Sequence, residues 1–319
     1  MNPIVWSVER QKWLCYDDRL IDVVLESDRF VVPTYDYAAL EEKLARKFEF
    51  TKRVIGNMPL ANEGAAHLEL REKMSFDINS KLKEAIAVFD DNFATRVSAQ
   101  AAEPSGVMDI AVPLMKSILE SNLVFTGIEL EDDTDYSNLT LMLDDSQSIK
   151  SRVAREAFIK SIILRNPEDG FYKIALLSIG VNALIGSSLH SLIKILTNHG
   201  FASLLSAQHF ASNAIKHLER VCIDDAIVGD RVIRRGDEVR LYLAGYEHAN
   251  LQGAQLNKKF FGMGSSHSCP GMKYSLSVWR AAVQIISANF RDLRLVDFGY
   301  RPNDGIFNFP TRVVLEYTR

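Results

Sequence analysis

The chain has 319 residues, 47% of them apolar, with 37 basic against 41 acidic side chains and a formal net charge of −4. That composition places it among globular proteins with ample material for a core, in one large domain or two of ordinary size. The balanced charge gives no electrostatic footprint for nucleic acid or an anionic membrane surface, and neither partner is expected.

The opening residues, MNPIVWSVERQKWLCYDD, carry charges too early and apolar side chains too sparsely for a signal peptide or an anchoring helix. No later run is expected to span a bilayer, and the chain reads as soluble and cytoplasmic. Cys15, Cys222 and Cys269 form an odd, widely spaced set that suits reduced thiols rather than a disulfide framework. With no CxxC or HExxH, a zinc site has little support. The sequence shows no internal repeat and no linker rich in Gly, Pro or Ser, so residues 1–319 read as a single, mostly helical domain.

From Tyr37 to Ala101 the pattern is helical and well charged, and His67 and Arg71 stand four apart on one helical face. By themselves they also suit a solvated surface. A second helical region, Ser148 to Leu196, is interrupted at Asn166-Pro167 and Asp169-Gly170. Within it Ile174, Leu177, Val181, Leu184 and Leu192 keep helical periodicity, although Gly180 and Gly186 each cost up to about 1 kcal/mol relative to alanine. A helix that accepts both glycines suggests close approach by something flat. Strand-like text follows. Ala226 to Leu243 alternates apolar and polar residues around Gly229 and Gly236, as a small two- or three-stranded sheet would, and TRVVLEYTR predicts one more strand after a turn at Asp304-Gly305.

The stretch FFGMGSSHSCPG, Phe260 to Gly271, sets a cysteine in a glycine-rich loop. Met272, Leu276, Trp279, Val283, Ile286 and Phe290 then recur at spacings of four and three, the stripe of a buried helix. Cys269 therefore precedes a helix amino terminus, whose free N–H groups and dipole lower a thiol pKa and favour the thiolate, a metal ligand or nucleophile. A structural cysteine in an ordinary turn is the alternative.

These residues resemble the haem-binding loop of cytochromes P450, FxxGxxxCxG, with matches at Phe261, Gly262, Gly264, His267, Cys269 and Gly271. Gly264 lies one residue further from the cysteine than in that pattern, so either a residue is inserted or Ser265 takes the glycine's place. The resemblance implies haem b bound through Cys269 as the proximal thiolate, with His267 along the haem edge near a propionate. His67 and Arg71 are similar to the family's HxxxR, and ERVCIDDAIVGDRVIRRGDEVRLYLAGYEHAN to its R-x-A-x-x-D segment, which makes Arg220 the third group at the haem carboxylates. The run Ile179-Gly180-Val181-Asn182-Ala183-Leu184 looks like the central distal helix, A/G-G-x-E/D-T-T, with Asn182 and Ala183 in place of the acid and alcohol.

The resemblance therefore implies a mainly α-helical cytochrome P450-like fold with a small β region, and haem between the central helix and the cysteine loop. The chain is shorter than a usual member before the central helix and before Arg220, where NAIK, Asn213 to Lys216, stands for the family's ExxR without its carboxylate. Asparagine and alanine cannot reproduce the usual proton relay. The expected function is an oxidoreductase of monooxygenase or peroxygenase type, acting on a small organic substrate with atypical use of oxygen or peroxide. Gly180, Asn182 and Ala183 then lie near substrate, and ferredoxin with its reductase, or hydrogen peroxide instead, would serve as co-reactants. A non-oxidative dehydration, isomerisation or rearrangement, or a non-catalytic haem-binding accessory role, are the other two readings.

Overall fold

The computed structural model describes residues 3–34, 37–130, 148–249, 251–263, 268–300, 306–307 and 309–319. A hairpin, β1 (Ile4–Ser7) and β2 (Lys12–Cys15), leads into α1 (Asp18–Glu26) and the short β3 (Phe30–Val31). Asp17 starts α1 by accepting the Arg19 and Leu20 N–H groups at 3.1 Å each, satisfying two of the donors every helix leaves unpaired. Helices α2 (Ala38–Leu44), α3 (Glu49–Gly56), α4 (Gly64–Ser80) and α5 (Leu82–Gln100) follow, in agreement with the helical pattern of that region. Strand β4 (Ser105–Asp109) and helix α6 (Ala111–Thr126) come next.

Helix α7 (Ile149–Arg165) carries the buried Glu156, which accepts the Phe50 and Thr51 N–H groups at 2.9 Å each and the Thr51 hydroxyl at 2.7 Å. A carboxylate from one helix thus caps the amino terminus of another and fixes α3 against α7. The chain breaks at Asn166-Pro167 and restarts at Asp169, in the left-handed region with φ 56°, before α8 (Gly170–Asn198).

Helix α8 has 29 residues, about 43 Å at the standard rise, and buries Ile174, Leu177, Val181, Leu184 and Leu192 as its periodicity predicts. It also buries Ala175, Leu176, Ile185 and Leu189, so it is apolar on most sides and runs through the core. By length and hydropathy this helix could cross a membrane, contrary to the expectation that no such run exists. Its most apolar window is 78% buried within the protein, so that surface is spent on internal packing.

After α9 (Gly200–Leu204) come β5 (His217–Cys222), the hairpin β6 (Ala226–Val228) and β7 (Arg231–Ile233), and β8 (Glu238–Tyr242). The small sheet expected over Ala226 to Leu243 is in fact divided. Among the described residues β6 and β7 pair only with each other, while β8 enters a five-stranded sheet of order β1-β2-β8-β5-β3. In that sheet β8 runs parallel to β2 and antiparallel to β5, whose Arg220 stands opposite Val239. Helices α10 (Ala244–His248), α11 (Gly253–Phe260) and α12 (Met272–Asn289) lead to β9 (Asp292–Tyr300) and β10 (Pro310–Thr318), which form a three-stranded sheet with β4. The carboxyl-terminal strand is as expected, and the turn at Asp304-Gly305 lies outside the described residues. Helix α12 buries Trp279, Val283 and Ile286 on its stripe.

Buried apolar residues form two clusters, a large one among the helices with β9 and β10 and a smaller one around Cys15, Cys222 and Val239 under the five-stranded sheet.

Candidate functional site

An interior cavity of about 310 Å³ lies where α4, α6, α8, β5 and the loop before α12 converge. Its size is that of a small-molecule or cofactor site. Cys269 lines it. The cysteine loop is held from both sides, since the Cys269 N–H donates to the Phe261 carbonyl at 2.8 Å and the Met272 N–H donates to the Cys269 carbonyl at 3.4 Å. Arg71 reaches across from α4, donating from Nε to the Ser268 carbonyl at 2.9 Å and from Nη2 to the Ser268 hydroxyl.

The expectation of a thiol poised as thiolate needs correction. Burial pushes the Cys269 pKa up, and the Gly271 N–H, the Arg71 charge and the Met272 N–H pull it down without prevailing. A cation at the sulfur would reverse the balance, because a coordinating thiol is deprotonated outright.

The side chains of His67, Arg71 and Arg220 share the cavity with Cys269. His67 is 4% exposed, and its Nδ1–H donates to the Pro59 carbonyl at 2.8 Å, which fixes the ring. Arg71 extends along the loop as described, and Arg220 is buried at the wall with Nη1 donating to the Glu219 carbonyl at 2.8 Å. The one carboxylate among the lining residues, Glu219, is taken up outside the cavity's cations: it accepts from Arg240 Nε at 2.6 Å and from Lys12 Nζ at 3.5 Å. A cysteine thiol, apolar walls and the side chains of His67, Arg71 and Arg220 around one cavity are the donor set that a haem carrying carboxylates requires, so the residues present fit the group.

Helix α8 contributes Ile179, Gly180, Ala183 and Leu184 to the wall facing this space, with Ser187 further along. Asn182 is not part of the lining: it is 3% exposed, and its Nδ2 donates to the Ser178 carbonyl of its own helix at 3.0 Å. Gly180 also has a different explanation from a flat neighbour. A Cβ there would stand 2.8 Å from Oδ1 of Asn122, so the missing side chain makes room for an amide from α6. Phe261 and Gly271 both line the cavity, whereas Gly264 and His267 lie outside the described residues.

Several wall residues carry no sequence signal. Asn122 and Tyr274 come from α6 and α12, and His217 from β5. His217 is buried, and desolvation with the nearby charges of Arg240, Lys216 and Lys12 brings its pKa down to about 3. The segment that replaces ExxR is rebuilt with hydroxyls. Ser191 accepts the Ala211 and Ser212 N–H groups at 3.0 and 3.1 Å, and Ser187 accepts the Ala214 N–H at 3.1 Å. Ser212 donates to Glu247 at 2.7 Å, which pairs with Lys194 at 2.7 Å, so this clamp fixes the entry to β5 and with it Arg220.

No protein-family model and no curated protein matches the chain. Solved structures do. P450BioI, in complex with an acyl carrier protein ligated to hexadec-9Z-enoic acid, aligns at TM-score 0.74 and 16% identity over 99% of this chain and 95% of its own. Cytochrome P450 CREJ, in complex with (4-ethylphenyl) dihydrogen phosphate, aligns at TM-score 0.75 and 14% identity over 99% and 94%. The haem domain of CYP116B5 from Acinetobacter radioresistens aligns at TM-score 0.70 and 15% identity over 100% and 92%. The chain has the cytochrome P450 fold, mainly α with a small β region, as the cysteine loop and its companion motifs imply.

Proposed function

We propose that the chain is a single-domain haem-thiolate oxidoreductase acting on a small organic substrate. The observation that carries this reading is the convergence on one cavity of Cys269, the side chains of His67, Arg71 and Arg220, and the central helix at Gly180. When bound, haem b would supply redox chemistry at an iron whose electronics the sulfur tunes. Cys269 would be its ligand, with the Gly271 and Met272 N–H groups and Arg71 moderating the sulfur's charge, and His67, Arg71 and Arg220 would hold its carboxylates. Phe261 and Gly271 shape the loop side, and Gly180 and Ala183 the opposite wall.

Asn182 points its amide at its own helix, and Ala183 has no proton to give, so α8 brings no side-chain acid to the cavity. This favours hydrogen peroxide, or a substrate group in the relay's place, over routine dioxygen activation with ferredoxin and its reductase. The same absence favours, as the second reading, a non-oxidative rearrangement or dehydration. Peroxide-driven and reductase-driven oxidation of an apolar probe, assayed side by side on haem-loaded protein, separate these. Peroxide turnover exceeding reductase turnover is expected, and equal turnover would contradict the peroxide preference. Oxidation by neither route would leave the non-oxidative reading. The site of action we assign is the cytoplasm.

A further inference from the structure

A buried chain of hydrogen bonds ends at the cavity, and its direction can be worked out donor by donor. Ser121, fully buried on α6, donates its hydroxyl proton to the Ala85 carbonyl at 2.6 Å. Its oxygen therefore accepts the Tyr274 O–H at 2.7 Å. Tyr274 in turn accepts from Nδ2 of Asn122 at 3.0 Å, and the other Nδ2 hydrogen goes to the Ile118 carbonyl at 2.7 Å. A flipped amide would set oxygen against the Ile118 carbonyl, so the orientation is fixed by the lone pairs around it.

Every proton in this chain is committed, and the open valence is Oδ1 of Asn122, which accepts no hydrogen bond among the described residues. Asn122 is 4% exposed and lines the cavity beside the bare Cα of Gly180. It differs from Asn182, whose Oδ1 is sealed in the core with no partner among the described residues. The Asn122 oxygen, unlike that of Asn182, is not one of the sealed atoms, so a ligand's donor in the cavity can reach it.

We infer that Asn122 is a specificity-determining residue whose Oδ1 accepts a hydrogen bond from a neutral O–H or N–H of the substrate. Haem itself offers no such donor, since its edge is apolar and its ionised carboxylates only accept. An ammonium would lack a counter-charge beside this amide, so the substrate class is a largely apolar molecule bearing an alcohol or an amide N–H. The inference rests on the haem-enzyme reading and names what that site selects. Tyr274 acts as a positioning residue, holding the amide so that oxygen rather than nitrogen faces the cavity.

The test is calorimetric binding of 4-phenyl-1-butanol and its methyl ether to the haem-loaded chain, with the Soret band recorded for each variant. The wild type is expected to bind the alcohol about tenfold more tightly than the ether. Asn122→Leu should bring the ratio to about one while the Soret band is retained. Tyr274→Phe, which frees an amide hydrogen, should tighten the ether relative to the alcohol, an effect no purely structural role produces. A wild-type ratio near one, binding of neither probe, or a tenfold ratio that survives Asn122→Leu overturns the inference. A missing Soret band in the wild type would instead sink the haem reading, and the alcohol-to-ether ratio would still decide Asn122.

Discussion

The two walls of the cavity are built on different principles. On the cysteine side the polar groups are tethered to one another: Arg71 to Ser268, His67 to Pro59, and the Cys269 backbone to Phe261. On the α8 side the wall is Ile179, Gly180, Ala183 and Leu184, and the hydroxyl of Ser187 is already engaged with Asn213 and the Ala214 N–H. The first wall holds charge in place, and the second supplies shape. Substitutions should therefore cost ligand binding on one side and packing on the other.

The largest effect is expected from Arg71→Leu, which removes the loop's tether and one cation together. Haem retention, measured by transfer to apomyoglobin, should weaken 10- to 100-fold, about the cost of losing a group that orients a metal ligand. Unchanged retention would show that the cysteine wall does not depend on its tether. Gly180→Ala tests the other wall. The added methyl meets Asn122 Oδ1 at 2.8 Å, so thermal unfolding should report a loss of about 1–3 kcal/mol, less up to about 1 kcal/mol of helix propensity. A stabilised variant would mean that α8 and α6 are not in close contact there.

His217 sharpens the comparison through pH. Its folded pKa of about 3 lies below the ordinary 6.5, so between these values the unfolded chain binds a proton that the folded chain does not. Its stabilising contribution is full above about 6.5 and is lost on acidification, by up to about 1.4 kcal/mol per pH unit. His217→Gln should flatten that part of a denaturation series run from pH 7 to pH 4, and an unaltered slope would assign the acid sensitivity elsewhere. A smaller effect is expected from Asn182→Leu. It removes a sealed, partnerless oxygen, so stability should stay level or rise by about 1 kcal/mol with ligand binding intact. Asn182→Glu would bury a charge outside the cavity, and it is expected to destabilise the chain rather than restore a proton relay.

These contrasts also explain what the sequence discloses. Cys269, His67, Arg71 and Arg220 are legible because a charge or a thiol at a fixed spacing leaves a mark on the text, and the buried stripes of α8 and α12 are legible through their period. Asn122, Tyr274 and His217 were missed because each is an isolated polar residue among apolar neighbours, and only packing brings α6, α12 and β5 to one cavity. The hairpin β1–β2 was likewise hidden, since β2 joins the rest of its sheet through β8, more than two hundred residues later along the chain. The role expected of Asn182 was set by resemblance alone, and its helical phase turns it towards the Ser178 carbonyl instead.

The most direct test of the central claim is the absorption spectrum of the haem-reconstituted chain, reduced and exposed to carbon monoxide, beside that of Cys269→Ser. A strongly red-shifted Soret band that disappears in the variant is the predicted result. Absence of haem uptake, or a band indifferent to Cys269, would contradict thiolate ligation at this cavity.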